Sequence, residues 1–386
     1  MRFWFLPWFE SLLQGTVHSA NTITTIERRR TVKSLQGLGS ATLIGSMPQR
    51  DRERAIGLVL QAAPEIPAWP QLPAYPAEQM MAQYIEGLPG LVTEQGRQFV
   101  RTDTPEFDQE VLLFYERYLA LDERPVQIEA SRFRMGEETS ATFRCFLETI
   151  KGVNLPLRAL KGQIAGPFTL LTGLKDQDGR ALIYDERFLD VIPKLLGLKA
   201  KWQIELMQTF GVPVIIFLDE PGLAGFGSSA LITVSAELVL RLLSEAVDAV
   251  HTAGGIAGLH VCANTDWLLA FQSNFDIINF DSYGYFDKFA LYRKECLQFM
   301  AQGGNIAWGV VPTSDLDAIR AETPESLVGR WTGQIRELAA GKMEIEEVIV
   351  HSLFTPSCGC GSLPEDYAAR VLDLLEKFCR IIRRGE

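Results

Sequence analysis

Three short stretches of this 386-residue chain carry side chains that bind soft metal ions: His260-Val261-Cys262, Asp281, and Cys358-Gly359-Cys360. Each follows an apolar, β-rich run. Residues two apart on a strand face the same way, so a His-x-Cys pair can grip one ion from a single strand end. Imidazole and thiolate are ligands that zinc prefers, and three protein ligands with one open or weakly held position make a catalytic zinc site. The competing reading takes His260 and Cys262 as core residues and Cys358-Gly359-Cys360 as a tight turn; the recurrence of cysteine at a later strand end favours the metal. Cys360 offers an alternative thiolate two residues beyond Cys358. Cys145, Cys296 and Cys379 fall in helical patterns and read as small apolar residues. Six cysteines are too sparse for a disulfide scaffold, which points to a reducing, cytoplasmic setting.

The elements that must position these groups alternate short β-rich runs with longer helical patterns, the signature of βα units around a parallel sheet. Eight strands are expected: Thr42–Ile44, a Pro-punctuated extended stretch over Ile66–Leu72, Lys161–Ala165, Pro213–Leu218, Ile256–Val261, Ile277–Phe280, Asn305–Val311 and Val348–Phe354. Between them, Ser235 caps a helix with Leu238, Leu242, Leu243, Ala246 and Val250 on one face, stopped by Gly254-Gly255. Another opens near Ser362, Pro364, Glu365 and Asp366 and presents Val371, Leu374, Leu375, Phe378 and Ile382. The fold class expected is α/β, a single (β/α)8 TIM barrel over 37–386. An insertion after the second strand, about 74–155, contains extra helix and a strong turn at Gly87-Leu88-Pro89-Gly90, and residues 1–36 form an N-terminal extension. In such a barrel, catalytic groups stand just past the C-terminal ends of strands. Ser46, Gly166-Pro167, Asp219-Glu220-Pro221, His260 with Cys262, Asp281, Pro312, and Cys358 with Cys360 all fall there.

Composition bounds the function. With 47% hydrophobic and 22% charged residues the chain is globular, and its net charge of −11 argues against nucleic acid or an anionic membrane surface as partner. No run reaches the roughly 18 apolar residues of a membrane-spanning helix. Gly222–Gly227 lacks the GxGxxG order, and no GxxxxGK[ST] occurs.

Taken together in this order, four motifs resemble the C-terminal catalytic barrel of cobalamin-independent methionine synthase, within the fold family shared with uroporphyrinogen decarboxylase. They are Ile44-Gly45-Ser46-Met47-Pro48-Gln49, Ala165-Gly166-Pro167, Asp219-Glu220-Pro221, and His260-Val261-Cys262 with Pro356-Ser357-Cys358-Gly359. The resemblance runs from about Ala41 to the C-terminus. It implies Zn2+ held by His260, Cys262 and Cys358, with a carboxylate at the end of the next strand. The family has Glu there, whereas this chain has Asp281, one methylene shorter. It further implies a homocysteine-like thiol bound by Ser46 and the Ile44-Gly45 backbone on its carboxylate and by Asp219 and Glu78 on its ammonium.

The activity so implied is methyl transfer to the homocysteine thiol, forming methionine. The methyl donor is either a methylcorrinoid (a protein, or methylcobalamin) or methyltetrahydrofolate. The Pro-rich stretch Glu65–Tyr75, with Trp69, is a candidate lining for a donor surface, the alternative being simple packing over the barrel. His351, near the expected end of the last strand, is a candidate proton donor to the leaving group, against a structural role. A zinc methyltransferase acting on coenzyme M is the neighbouring alternative; its sulfonate has no ammonium for Asp219 and Glu78. A noncatalytic zinc-stabilised binding protein would need a closed four-ligand site, which an Asp in the fourth position disfavours.

Overall fold

The computed structural model describes residues 35–123 and 128–384. The expected extension over 1–36 lies almost wholly outside the described residues. The strands are β1 (Ser40–Ala41), β2 (Leu91–Glu94), β3 (Arg97–Val100), β4 (Leu160–Ala165), β5 (Val214–Asp219), β6 (Ile256–Val261), β7 (Ile277–Phe280), β8 (Asn305–Val311) and β9 (Ser352–Pro356). Seven of them form one parallel sheet in the order β1-β9-β8-β7-β6-β5-β4, while β2 and β3 pair as a separate antiparallel hairpin. Every residue of β4 to β9 is buried, as expected of a parallel sheet covered on both faces.

The helices form where the sequence places them. Ser235 caps the helix Ala236–Thr252 by accepting from Leu238 N, and Val239, Leu242, Leu243, Ala246, Val247 and Val250 are buried on its inner face. The helix Glu365–Arg384 buries Val371, Leu374, Leu375 and Phe378. Between the stretch ending at Leu72 and β4, the chain forms the β2–β3 hairpin and the helices Phe107–Glu123 and Ala141–Lys151.

Two expected strands shift. The first is Ser40–Ala41 rather than Thr42–Ile44, and the chain beyond it makes an isolated parallel bridge, Ser46 to Gln71. The last begins at Ser352, because Ile345–Val350 continues as helix and His351 is its C-cap. The β-branched residues of that run pack a helical turn onto the core through Val348, so tertiary contact overrides their strand preference. The stretch Ile66–Leu72 is extended and buried, bridging to Ser46 through Gln71 and to Lys161 through Ala68.

The sheet register aligns the polar residues. Ala165 stands opposite Asp219, Asp219 opposite His260, His260 opposite Asn279, and Asn279 opposite Ala307. One row across five neighbouring strands therefore carries Asp219, His260 and Asn279 side by side near the C-terminal end of the sheet.

Candidate metal centre

His260 Nε2, Cys262 Sγ and Cys358 Sγ lie within 4.8 Å of one another, and the residues could hold a metal ion. The Cys358 Sγ to His260 Nε2 distance is 3.8 Å. Zinc bonded to two sulfurs and a nitrogen in tetrahedral geometry separates its ligand atoms by about 3.5 to 3.8 Å. The donor set and its spacing thus fit zinc with modest tightening. Cys262 comes from the chain leaving β6 and Cys358 from the chain leaving β9, so parallel strand ends deliver both thiols to one rim.

Asn279 fixes the imidazole. Its Nδ2 donates to Ala307 O and to Thr355 Oγ1, both at 2.8 Å, which leaves Oδ1 facing His260 Nδ1 at 2.5 Å. An amide oxygen only accepts, so Nδ1 carries the proton and the Nε2 lone pair points at the sulfurs. The sequence reading passed over Asn279; its one available signal was a lone polar residue inside the apolar run Ile277–Phe280.

The electrostatics favour a thiolate. The Cys262 thiol is lowered to about 4, chiefly by hydrogen bonds from Cys358 and His260, while the Cys358 thiol, sharing its proton with Cys262, is pushed up. Burial alone would lower the His260 imidazole, but the Cys262 sulfur and the Asp219 charge raise it.

The remaining expected site residues fall into three groups. Asp281 lies outside the three-residue cluster: it caps the helix Ser282–Phe289, with Oδ1 accepting from Gly284 N at 2.7 Å. Burial raises its pKa, and it feels the charges of Cys262 and His260. Cys360 is buried, with burial pushing its thiol up to about 12, and its backbone N–H donates to Ser46 O. Ser46 itself faces the loop after β9, where Gly361 N donates to its Oγ. That contact is close: a Cβ on Gly359 would stand 2.1 Å from Ser46 Oγ. Gly45, at φ 143, makes the turn before it with the Gln163 amide packed where a Cβ would project.

Asp219 and Glu78 differ in what is left over. Glu78 is fully buried, and its oxygens accept from Thr142 N, Thr142 Oγ1, Leu72 N and the Arg52 guanidinium. Asp219 Oδ1 is buried with no hydrogen-bond partner among the described residues. Burial raises the Asp219 carboxyl to about 6, against the pull of His260 and of Lys161. Lys161 was also missed: it is fully buried, its Nζ donates to Ile44 O at 2.7 Å and sits 4.4 Å from the Phe217 ring centroid. Glu220 next to Asp219 serves structure, accepting from Phe168 N, Thr169 N and Thr169 Oγ1.

Two expectations are corrected. His351 precedes β9 and stands at the opposite end of the sheet from Cys358, with Nδ1 facing Gly304 O at 3.1 Å just before β8. The strand begins four residues later than expected and ends two later, which leaves the histidine before its first residue, at the base. Trp69 is fully buried, donating from Nε1 to Gln203 Oε1, so it lines no donor surface.

Fold and cluster together define a parallel α/β protein with a His/Cys site at the C-terminal rim of its sheet. No family model matches the chain, and no curated protein matches it in sequence. Solved structures do match. A B12-independent methionine synthase from Shewanella sp. W3-18-1, in complex with selenomethionine, is similar with a TM-score of 0.50 at 15% identity, covering 89% of this chain and 98% of that one. A Listeria monocytogenes protein assigned as a vitamin-B12-independent methionine synthase is similar at 0.50 and 13%, covering 90% and 99%. At these identities the likeness establishes the fold.

Proposed function

We propose that the chain is a zinc-dependent methyltransferase that moves a methyl group to the thiol of homocysteine, forming methionine. The observation that carries this reading is the His260, Cys262 and Cys358 cluster, with Asp219 opposite His260 in the sheet register and its Oδ1 without a partner among the described residues. We also infer an eight-stranded barrel over 37–386, with Ile66–Leu72 as its second strand and about 74–155 as an insertion after it. The bridges from that stretch to Ser46 and Lys161 support this.

Zinc would supply Lewis acidity that favours the ionised, nucleophilic form of the acceptor thiol at neutral pH. His260, Cys262 and Cys358 would hold it, with Asp281 from the next strand end as the proposed fourth ligand. Asp219 receives the acceptor's ammonium, with Glu78 adding negative charge from behind. Ser46 and the Ile44-Gly45 backbone take its carboxylate. Lys161, bonded to Ile44 O, holds that backbone from within the sheet. An unpartnered carboxylate oxygen suits an amino-acid thiol and is a poor neighbour for a sulfonate such as that of coenzyme M.

The donor is a methylcorrinoid or methyltetrahydrofolate. Ile232, Leu268, Tyr285, Leu291 and Leu316, all on segments following β5 to β8, are exposed, which supports delivery at a surface such as that of a corrinoid protein. All six cysteines are free, in keeping with a cytoplasmic setting. Among the described residues, no helix is long and apolar enough to cross a membrane. The test is methionine formation by zinc-loaded protein from homocysteine, with methylcobalamin and with methyltetrahydrofolate polyglutamate in parallel. Turnover with one donor that disappears in Cys262→Ser supports the reading; stoichiometric zinc without turnover on either donor counts against homocysteine as acceptor.

A further inference from the structure

Cys358 lies in the bend that follows β9, and the chain is fastened on both sides of it. The sheet order β1-β9-β8 sets this up, because the chain leaving β9 has the exit of β8 on one side and the exit of β1 on the other. On the β8 side, Ser357 N donates to Val311 O at 2.8 Å, and the Ser357 hydroxyl bonds the Thr313 hydroxyl at 2.9 Å. Ser357 and Thr313 are both buried. On the β1 side, Cys360 N donates to Ser46 O at 2.8 Å, and Gly361 N donates to Ser46 Oγ at 3.3 Å.

The second fastening is too close for ordinary side chains. A Cβ on Gly359 would stand 2.1 Å from Ser46 Oγ, and one on Gly361 would stand 2.8 Å from Pro73 Cγ and 2.9 Å from Ser46 Oγ. Between the anchors lie only Cys358 and Gly359, so the bend has little slack, and the Cys358 sulfur is held 3.8 Å from His260 Nε2. Cys360 joins the fastening through its backbone while its thiol stays buried. Ser46 and Thr313 offer neither imidazole nor thiolate to the cluster. What they fix is the backbone that carries one of its thiols.

We propose that Ser46 and Thr313 are positioning residues for the metal: by anchoring the two ends of this bend to neighbouring strand exits, they hold Cys358 ready as a ligand. The assignment rests on the metal centre of the reading above and gives Ser46 a role that does not depend on the acceptor. Because Ser46 Oγ accepts from Gly361, its own O–H can still donate to a carboxylate. A ligand whose backbone is already ordered binds without an ordering cost. Once an anchor is lost, the released backbone must be fixed again when the metal binds, and ordering one residue corresponds to a roughly 5- to 30-fold loss of affinity.

Zinc affinity of the full chain, read by competition with a chromogenic chelator, tests this without reference to turnover. Thr313→Val and Ser46→Ala, one for each end of the bend, are expected to weaken zinc by roughly 5- to 30-fold. Thr313→Ser keeps the hydroxyl and should stay within about twofold of wild type. So should Ser273→Ala, which removes a buried hydroxyl bond to Leu269 O outside the bend. In a Cys358→Ala background neither Thr313→Val nor Ser46→Ala should weaken the residual zinc affinity further, since the ligand they hold is gone. Unchanged zinc affinity with lowered thermal stability, or the same loss in the Cys358→Ala background, would overturn the assignment and leave the methyltransferase reading intact. Should Thr313→Val fold poorly, Ser46→Ala decides from the other end. A wild-type chain that binds no zinc removes the metal centre, and with it both the reading and the assignment.

Discussion

Replacing Asn279 tests whether the imidazole is held for a metal or merely packed in a core. Asn279→Leu preserves volume and removes all three side-chain hydrogen bonds, stranding His260 Nδ1–H and taking the Asn279 amide from Ala307 O and Thr355 Oγ1 in a fully buried environment. Thr355 keeps Trp308 O as a distant partner at 3.5 Å. The stranded N–H frees the ring to change tautomer or rotate, and losing such a partner costs about 10- to 100-fold in metal affinity, roughly 1.4 to 2.7 kcal/mol. Asn279→Asp separates the two roles. Its carboxylate still accepts from Nδ1–H and makes Nε2 more basic, but it cannot donate to Ala307 O. Both variants should therefore lose about 2 to 4 kcal/mol of apo stability, while only the leucine variant should lose zinc affinity. Competition against a chromogenic chelator measures the affinity, and thermal unfolding with and without zinc measures the linkage, since an ion that binds only the folded chain raises the midpoint. Equal zinc affinity in the two variants would refute the argument that Asn279 sets the tautomer.

Two further predictions concern the same rim. Burial raises the Glu220 carboxyl to about 7, above its unfolded value near 4.5, so the folded chain holds the proton more tightly. Its contribution to stability is complete below about pH 4.5 and is lost as pH rises through about 7, by a few kcal/mol. Glu220→Gln should flatten urea-unfolding stability over that window, and an unchanged slope would show that another group governs it. Gly359→Ala should raise the homocysteine KM severalfold, because its methyl displaces the Ser46 hydroxyl and with it the Gly361 contact. In Ser46→Ala the same glycine change should cost much less, and a cycle that is additive would place the clash elsewhere.

How much of this was legible beforehand differs by level. Strands such as Val214–Asp219 and Ile256–Val261 announce themselves as continuous apolar runs, because a parallel sheet covered on both faces needs no polar alternation. Their ends were legible too, so Asp219, His260 and Cys262 could be assigned to one rim, and Cys358 with them. The helix starting at Ser235 was legible from its cap and its period. The run Val348–Phe354 was not, since its β-branched residues favour strand and so short an apolar run has no period to correct that, and only the packing of Val348 assigns its first turn to helix. That error alone displaced His351.

The sequence by itself determined the types of the candidate metal ligands, their order and the strand ends that carry them, since these follow from periodicity within each segment. Only the tertiary structure decided which polar groups have partners. Glu78 and Asp219 look equivalent as carboxylates in a chain, yet Thr142 and Arg52, 64 and 26 residues distant, bond the first, and none of the described residues bonds Oδ1 of the second. Asn279 went unnoticed for the same reason: a hydrogen bond made across strands is a property of register and burial, and no local pattern encodes it.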